Sequence, residues 1–475
     1  MGMDLEPKFD RQITESHLIT YFATRPNNFQ LERFLASGAG ANAWLVRYRK
    51  QAGDRWGRIV LKTPLGISAA GYDEDPFDVG FGVEEFKAEK NILNAIRTRH
   101  LVKLVTLSDA EDPLKQDGPR DFFQRWIYLE YLQHGTLGEF ARKCTRHGIP
   151  HLPNRLLWRI FLCLIRACVA MAYVPDVPVD RYDENEEPCA VNTKSVSYSH
   201  NDMHSDNIMI GDMLSDPDDV EHFISPVIKF IDLENCAQYS NTNGASIPCS
   251  PGGEGKGVQR NLEKVAENMM ELILLESTYD LDLDLGGDND QGGGGGGGGA
   301  ETDNSVWFEP GWYHDGFATA AKPLLPSPDA MIQQMPAPWL DPDLRRLLCE
   351  CAAIDVRKRP RLRNDLLPEV LEAVEQRDAD YYREDEYCVD PDAEEDVAVL
   401  RLVQRVLGAA PPPPPGTGTG TGEDAEGDGD GEGPESMEID QPAAAESSRR
   451  RNRDGRSASP ESSGERLRRF NFRAR

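Results

Sequence analysis

The chain has nine cysteines but no CxxC pair, and only Cys349 and Cys351 stand close together. The sequence therefore offers neither a zinc site nor a disulfide framework, and reduced thiols in an intracellular protein are the expectation. No basic segment followed by an apolar run opens the chain, and Glu6 stands where a myristoylation signal needs Ser or Thr. Long hydrophobic runs are also scarce. The most apolar stretch, 156–174, is interrupted by Arg159 and Arg166, which are costly at a bilayer centre, so it is expected to be a buried helix of a soluble domain rather than a membrane span. Positive charge is in deficit: 52 Lys and Arg against 81 Asp and Glu leave a net charge of -29. That balance argues against bulk affinity for nucleic acid or anionic membrane. No solenoid-type repeat is present.

What remains is enough apolar residue, 39%, for a substantial core. After a polar lead-in with a short helix over residues 1–29, the segments "QLERFLASGAGANAWLVRYRK" and "WGRIVLKTP" read as strand, glycine-rich turn, strand, strand. In "VEEFKAEKNILNAI", Phe86, Ile92, Leu93 and Ile96 form the apolar stripe of a helix. "LVKLVTL" and "FFQRWIYLEYL" supply two further strands, for a five-stranded unit with one helix. From about residue 133 the pattern turns helical. Two strand-and-loop units follow, "SYSHNDMHSDNIMIG" and "PVIKFIDLENC", and then the apolar helix "VQRNLEKVAENMMELILLE". Residues 175–194 are acidic and 280–304 carry eight consecutive glycines, so both read as flexible insertions. A helical extension spans 376–408, ending in a helix with acidic residues at its start and Gly408 at its end. The proline run, Gly-Thr repeat, acidic block and Arg-rich end over 409–475 read as a disordered tail.

Several segments have the residue types that phosphate chemistry needs. Gly38 and Gly40 in "SGAGANA" sit in a turn between strands, where a missing Cβ lets backbone N–H groups approach phosphate oxygens, although Ala43 takes the place of a third glycine. Lys62 closes the apolar run "RIVLK". Alone it reads as a surface lysine, and Glu89 alone as a solvated helix charge. Together they can form an ion pair that aims the ammonium at a nucleotide's α- and β-phosphates. "SHNDMHSDNIMI" presents His200, Asp202 and Asn207 in the pattern H-x-D-x-x-x-x-N. Asp202 can accept a proton from a substrate hydroxyl, and the Asn207 amide oxygen can bind a divalent cation. Asp232 follows Val227, Ile228, Phe230 and Ile231 at the end of a buried strand, a placement suited to a Mg²⁺ ligand.

In this order, from about Gln30 to Leu367, the motifs resemble those of a eukaryotic-type protein kinase. The resemblance implies an α+β, bilobal protein-kinase-like fold, with a small five-stranded N-lobe carrying one main helix (30–132, including the hinge) and a larger, mostly helical C-lobe (133–375). It implies ATP and Mg²⁺ as cofactors. Gly38 and Gly40 would serve as the glycine-rich loop, Lys62 as the phosphate-anchoring lysine and Glu89 as its helix partner. Leu129 would guard the adenine pocket, and Glu130 to Leu132 would form the hinge. Asp202 would be the catalytic base, Asn207 and Asp232 the metal ligands, and Arg359 the arginine of the family's closing Arg-Pro motif. His204 stands where Ser/Thr kinases carry a phosphate-contacting lysine, and a histidinium can serve there.

Other positions depart from the family pattern. Asn201 replaces the arginine before the catalytic aspartate, which removes the usual receptor for an activation-loop phosphate. Leu233 and Glu234 replace Phe-Gly, no Ala-Pro-Glu motif follows, and Asn261 stands where the family has a helix-F aspartate.

The implied activity is transfer of the ATP γ-phosphate to a protein hydroxyl, Ser or Thr ahead of Tyr. The same motifs are similar to those of choline-kinase and aminoglycoside-phosphotransferase enzymes, which act on small hydroxyl compounds. The lysine-to-hinge pattern and the Arg-Pro close favour the protein-kinase branch. A third reading is a nucleotide-binding pseudokinase scaffold, against which stands the joint presence of Lys62, Glu89, Asp202, Asn207 and Asp232. The Arg-rich tail, "RRRNRDGR" and "RLRRFNFRAR", reads either as a nuclear-import or phosphate-contacting arm or as a solvated tail that balances the acidic block before it. Cytoplasmic or nuclear location follows from these features.

Overall fold

The computed structural model describes residues 11–38, 41–51, 53–64, 83–108, 111–117, 126–174, 196–214, 219, 221–239, 254–275, 311–313, 317–325, 335–385 and 388–408. Gly40, the insertions expected at 175–194 and 280–304, and the tail from 409 lie outside them.

The fold is mixed α+β. Helix α1 (Arg11–Ala23) leads into β1 (Phe29–Ser37), β2 (Ala41–Tyr48), β3 (Gly57–Pro64), α2 (Val83–Ala95), β4 (Leu104–Val105), the short α3 (Pro113–Asp117) and β5 (Ile127–Glu130). These five strands form one antiparallel sheet in the order β1-β2-β3-β5-β4. Strand alternation divides its residues between two cores. Ile59 and Leu61 of β3, Trp44 and Val46 of β2, and Trp126 and Tyr128 around β5 pack with Leu18 and Phe22 of α1 and Leu114 of α3. Ile127 and Leu129 belong instead to the main core, with Ile92 and Leu93 of α2. Lys62 is one residue out of phase with Leu61 and so lies on the face toward α2. Asp112 completes the first core: its buried carboxylate accepts hydrogen bonds from Trp126 Nε1 at 3.2 Å, Tyr128 Oη at 3.0 Å and Leu114 N at 3.0 Å.

Beyond β5 the chain is mostly helical: α4 (Leu137–Arg146), α5 (Asn154–Ala172), α6 (Lys256–Leu274), α7 (Pro342–Cys351), α8 (Leu367–Gln376), α9 (Ala379–Glu384) and α10 (Asp396–Gly408). Helix α4 begins with a capping box, in which Thr136 Oγ1 accepts from Glu139 N and the Glu139 carboxylate accepts from Thr136 N. Helix α5 follows Pro153 and is apolar around its whole circumference, so it is buried on all sides, as a central core helix must be. Its three arginines are accommodated differently: Arg155 is buried and donates to Glu394 O, Arg159 is buried with Nη1 donating to Arg155 O at 3.1 Å, and Arg166 pairs with Glu221. Val399, Val403 and Val406 bury the inner stripe of α10. Among the described residues no helix is long and apolar enough to cross a membrane.

Short strands connect these helices: β6 (Tyr198–Ser199), β7 (Ile208–Met213), β8 (Pro226–Phe230), β9 (Ala237–Gln238), β10 (Gly311–Tyr313) and β11 (Phe317–Thr319). The pairs β6–β9 and β7–β8 frame the two motif loops, so Asp202 and Asn207 precede β7 and Asp232 follows β8.

Candidate functional site

The sheet, α2 and the segment after β8 converge on the Lys62 ammonium. Its Nζ lies 2.9 Å from Glu89 Oε2, 2.5 Å from Asp232 Oδ1 and 3.2 Å from Glu234 Oε2. Glu89 is fully buried and serves two elements, because its other oxygen, Oε1, accepts from the Leu233 backbone N–H at 3.3 Å. One carboxylate thereby fixes both the lysine and the turn after Asp232. Burial raises the Glu89 carboxyl above its ordinary range, and the adjacent ammonium opposes that rise. Burial by itself would lower the Lys62 value, but the attraction of three carboxylates outweighs it and keeps the side chain protonated. Three carboxylates thus face one ammonium.

Asp232 adopts a left-handed conformation, φ 60° and ψ 65°, and this bends the chain out of β8 into the turn Leu233–Asn235. Aspartate tolerates that region better than most residues, because its short polar side chain can hydrogen-bond locally. The turn carries Glu234 to the lysine. The expected loss of glycine at this position therefore has a positive counterpart: a third carboxylate joins Glu89 and Asp232, and their oxygens lie within 4.8 Å of one another.

The second loop is anchored to the first by backbone. Ile231 N donates to Asn207 O at 3.0 Å, and the ring of His200 engages Ile231 O through Nε2 at 2.9 Å. His200 is buried and packs edge-on against Phe230, with ring centroids 5.7 Å apart. Burial lowers its imidazole value, against the pull of both Asp202 and Asp232, so the ring is neutral at pH 7. Asn207 Nδ2 donates to Asp202 O at 2.9 Å and Asp202 Oδ2 at 3.2 Å. That uses the amide nitrogen and leaves the amide oxygen for a cation. His204 Nε2 stands 3.7 Å from Asp202 Oδ1. The hard oxygen donors of Asp232 and Asn207 suit Mg²⁺.

The remaining expected residues fall as follows. Gly38 donates its N–H to Ala41 O at 2.8 Å, closing the described part of the turn between β1 and β2. Glu130 ends β5, and its carboxylate accepts from Lys103 N at 2.7 Å and pairs with Lys229 at 2.6 Å. Its backbone N–H donates to Lys103 O at 2.9 Å. Leu129 and Leu132 are buried.

Helix α6 supplies groups that were not picked out as site residues. Asn261 Oδ1 accepts from His200 N at 3.0 Å while its Nδ2 donates to Tyr198 O at 2.9 Å. Asn268 Nδ2 donates to Met203 O at 3.1 Å, and Glu271 Oε1 accepts from Ser205 Oγ at 2.9 Å. These three buried polar side chains hold the loop containing Asp202 along its length. The signal for them was available as polar residues on the inward face of an apolar helix. Asn201, φ 62°, donates to Asn235 O at 2.9 Å and so joins the two motif loops directly. Arg359 is buried and donates to Ala353 O at 2.8 Å, Gln259 O at 2.6 Å and Glu263 Oε2 at 3.0 Å, so it braces α6.

No protein-family model matches this chain, and no curated protein matches it.

Proposed function

We propose that the chain is an ATP-dependent phosphotransferase with a bilobal, protein-kinase-like arrangement, acting on a protein hydroxyl, Ser or Thr ahead of Tyr. The observation that carries this is the Lys62 ammonium, held by buried Glu89 at 2.9 Å and touching Asp232 at 2.5 Å, with Asp232 adjoining a loop that presents Asp202 and Asn207. A structural ion pair does not need a second carboxylate at the lysine and an aspartate–asparagine loop bonded to the same backbone.

In this reading the N–H groups around Gly38 contact phosphate oxygens, and the backbone of Glu130 and Leu132 meets the adenine. Lys62, oriented by Glu89, binds the α- and β-phosphates. Asn207 and Asp232 would hold Mg²⁺, which supplies charge neutralisation at the β- and γ-phosphates when bound. Asp202 orients the acceptor hydroxyl and takes its proton, and His204, with Nε2 3.7 Å from Asp202 Oδ1, would contact the transferred phosphate. Asn207 fixes the Asp202 carboxylate through Nδ2, so most of the rate comes from positioning and preset charge. Asn261 spans the His200 N–H and the Tyr198 carbonyl, and so supports the loop as a neutral residue.

The test offers labelled ATP and Mg²⁺ to the full chain with mixed protein and small-alcohol acceptors. Label on protein Ser or Thr, lost in Asp202→Asn, is the expected result. Label confined to small alcohols would move the assignment to the choline-kinase and aminoglycoside-phosphotransferase type. Mg²⁺-dependent nucleotide binding without turnover would make the chain a scaffold.

A further inference from the structure

A second cluster of chemically active side chains lies away from Lys62. His100, Cys163 and His222 come from three separate segments: the loop before β4, the middle of α5 and the turn before β8. All three are buried, with exposures of 0%, 1% and 2%, and one ligand atom from each lies within 4.8 Å of the others. We propose that these three side chains form a zinc site, with Cys163 Sγ, His100 Nε2 and His222 Nδ1 as ligands.

Four observations support it. The first is donor type: one sulfur and two imidazole nitrogens form a borderline-soft set that suits Zn²⁺ and not Mg²⁺ or Ca²⁺. The second is spacing. Cys163 Sγ and His222 Nδ1 are 3.9 Å apart. Zn–S and Zn–N bonds of about 2.3 and 2.0–2.1 Å at a tetrahedral angle imply a separation of roughly 3.6 Å, so only a few tenths of an ångström must close.

The third observation is the outer shell. His100 Nδ1 lies 3.0 Å from Ile228 O. A carbonyl can only accept, so this contact puts the ring proton on Nδ1 and turns the Nε2 lone pair toward the cluster, as in zinc-binding histidines generally. The fourth is that salt bridges lock the three segments together beside the ligands. Arg99, next to His100, pairs with Asp219 at 2.8 Å, and the Asp219 carboxylate also accepts from His222 N at 3.0 Å. Arg166, three residues beyond Cys163, pairs with Glu221, next to His222.

Three protein ligands leave one tetrahedral position for water. Bound there, the zinc would tie together the three segments that supply its ligands. Phe230 N donates to His100 O at 2.9 Å, and Val102 N donates to Phe230 O at 2.9 Å. The cluster therefore fastens α5 to β8, the strand that ends two residues before Asp232.

The test is metal analysis of the full chain, purified without chelator and dialysed. The wild type is expected to retain about one zinc per chain, and Asp232→Asn to retain it equally, while Cys163→Ala and His222→Gln lose it. Should those variants fail to fold, the wild type still decides the matter. Apo protein titrated with Co²⁺ must develop the intense thiolate-to-cobalt charge-transfer band in the near ultraviolet. Absence of both retained zinc and that band would reduce the cluster to a hydrogen-bonded thiol and imidazoles and overturn the proposal. Neither readout involves nucleotide, so failure here is separate from failure of the phosphotransferase assignment.

Discussion

Replacing Lys62 with methionine separates the electrostatics of the Lys62 cluster from its chemistry. The substitution keeps most of the apolar stem and removes the ammonium, leaving Glu89 fully buried with the Leu233 N–H as its remaining partner among the described residues. Breaking a buried ion pair by deleting one member costs about 3–5 kcal/mol, because the other charge is left uncompensated. Glu89 can escape that state by taking up a proton. From an ordinary value of 4.5, protonation at pH 7 costs roughly 3.4 kcal/mol, about 1.36 kcal/mol for each pH unit between the two. The two routes agree on a loss of about 3 kcal/mol at pH 7. The contacts to Asp232 and Glu234, whose side chains are more exposed, add less.

The pH dependence has a fixed sign. In Lys62→Met the folded-state value of Glu89 lies above its unfolded value, so the folded protein binds more protons in between. Stability of the variant therefore falls as pH rises through that window, and its deficit against wild type shrinks toward pH 4.5. Adding Glu89→Gln keeps an acceptor for Leu233 N–H and removes the charge, so the double variant recovers to within about 1 kcal/mol of wild type. Urea unfolding curves followed by tryptophan fluorescence from pH 5 to 8 measure all of this, with the pH range chosen to span roughly the window above. A deficit below about 1 kcal/mol at pH 7, a deficit that does not change with pH, or a double variant no better than the single would refute the reasoning.

Three further outcomes are expected. Asp202→Asn lowers turnover by roughly 10²–10⁴-fold with nucleotide affinity unchanged, whereas Asp232→Asn weakens Mg²⁺-dependent nucleotide binding; isothermal titration alongside the labelled-ATP assay separates them. Asn261→Leu leaves the His200 N–H and Tyr198 carbonyl buried without partners and costs about 2–5 kcal/mol in urea unfolding, with turnover lost in the fraction still folded. Glu394→Ala removes the carboxylate that accepts from Asn154 N at 2.7 Å and Arg155 N at 3.0 Å at the start of α5, for a loss of about 2–4 kcal/mol by the same measurement.

The parts legible in the sequence are those set by local period. The apolar run "RIVLK" marked a strand with Lys62 at its end, and the stripe of Phe86, Ile92, Leu93 and Ile96 marked α2, in which Ile92, Leu93 and Ile96 are buried. The apolar run at 156–174 became α5 because a helix with no polar face can only be central. Groups that meet by tertiary folding were harder to see. Glu234 read as a lost glycine, since nothing in "DLEN" says that the turn after Asp232 points its second carboxylate at a lysine 172 residues away. The lead-in over 1–29 read as polar, yet Leu18 and Phe22, four residues apart, seal one core of the sheet. Two such positions in 13 helical residues are too sparse a stripe to recognise. His100, Cys163 and His222 share no motif spacing at all, because each arrives on a different element.

Helix α6 and the cross-link between the two motif loops hold those loops in one geometry. Asn201 spans to Asn235 O, and Asn261 holds both the His200 N–H and the Tyr198 carbonyl. An aspartate at 261 would satisfy the first of these but set a carboxylate against the second, so the neutral amide matches the backbone it meets. Arg359 sets its guanidinium against Glu263 and the Gln259 carbonyl of the same helix. Asn261→Asp is therefore expected to destabilise this loop, seen as a lower urea midpoint than wild type.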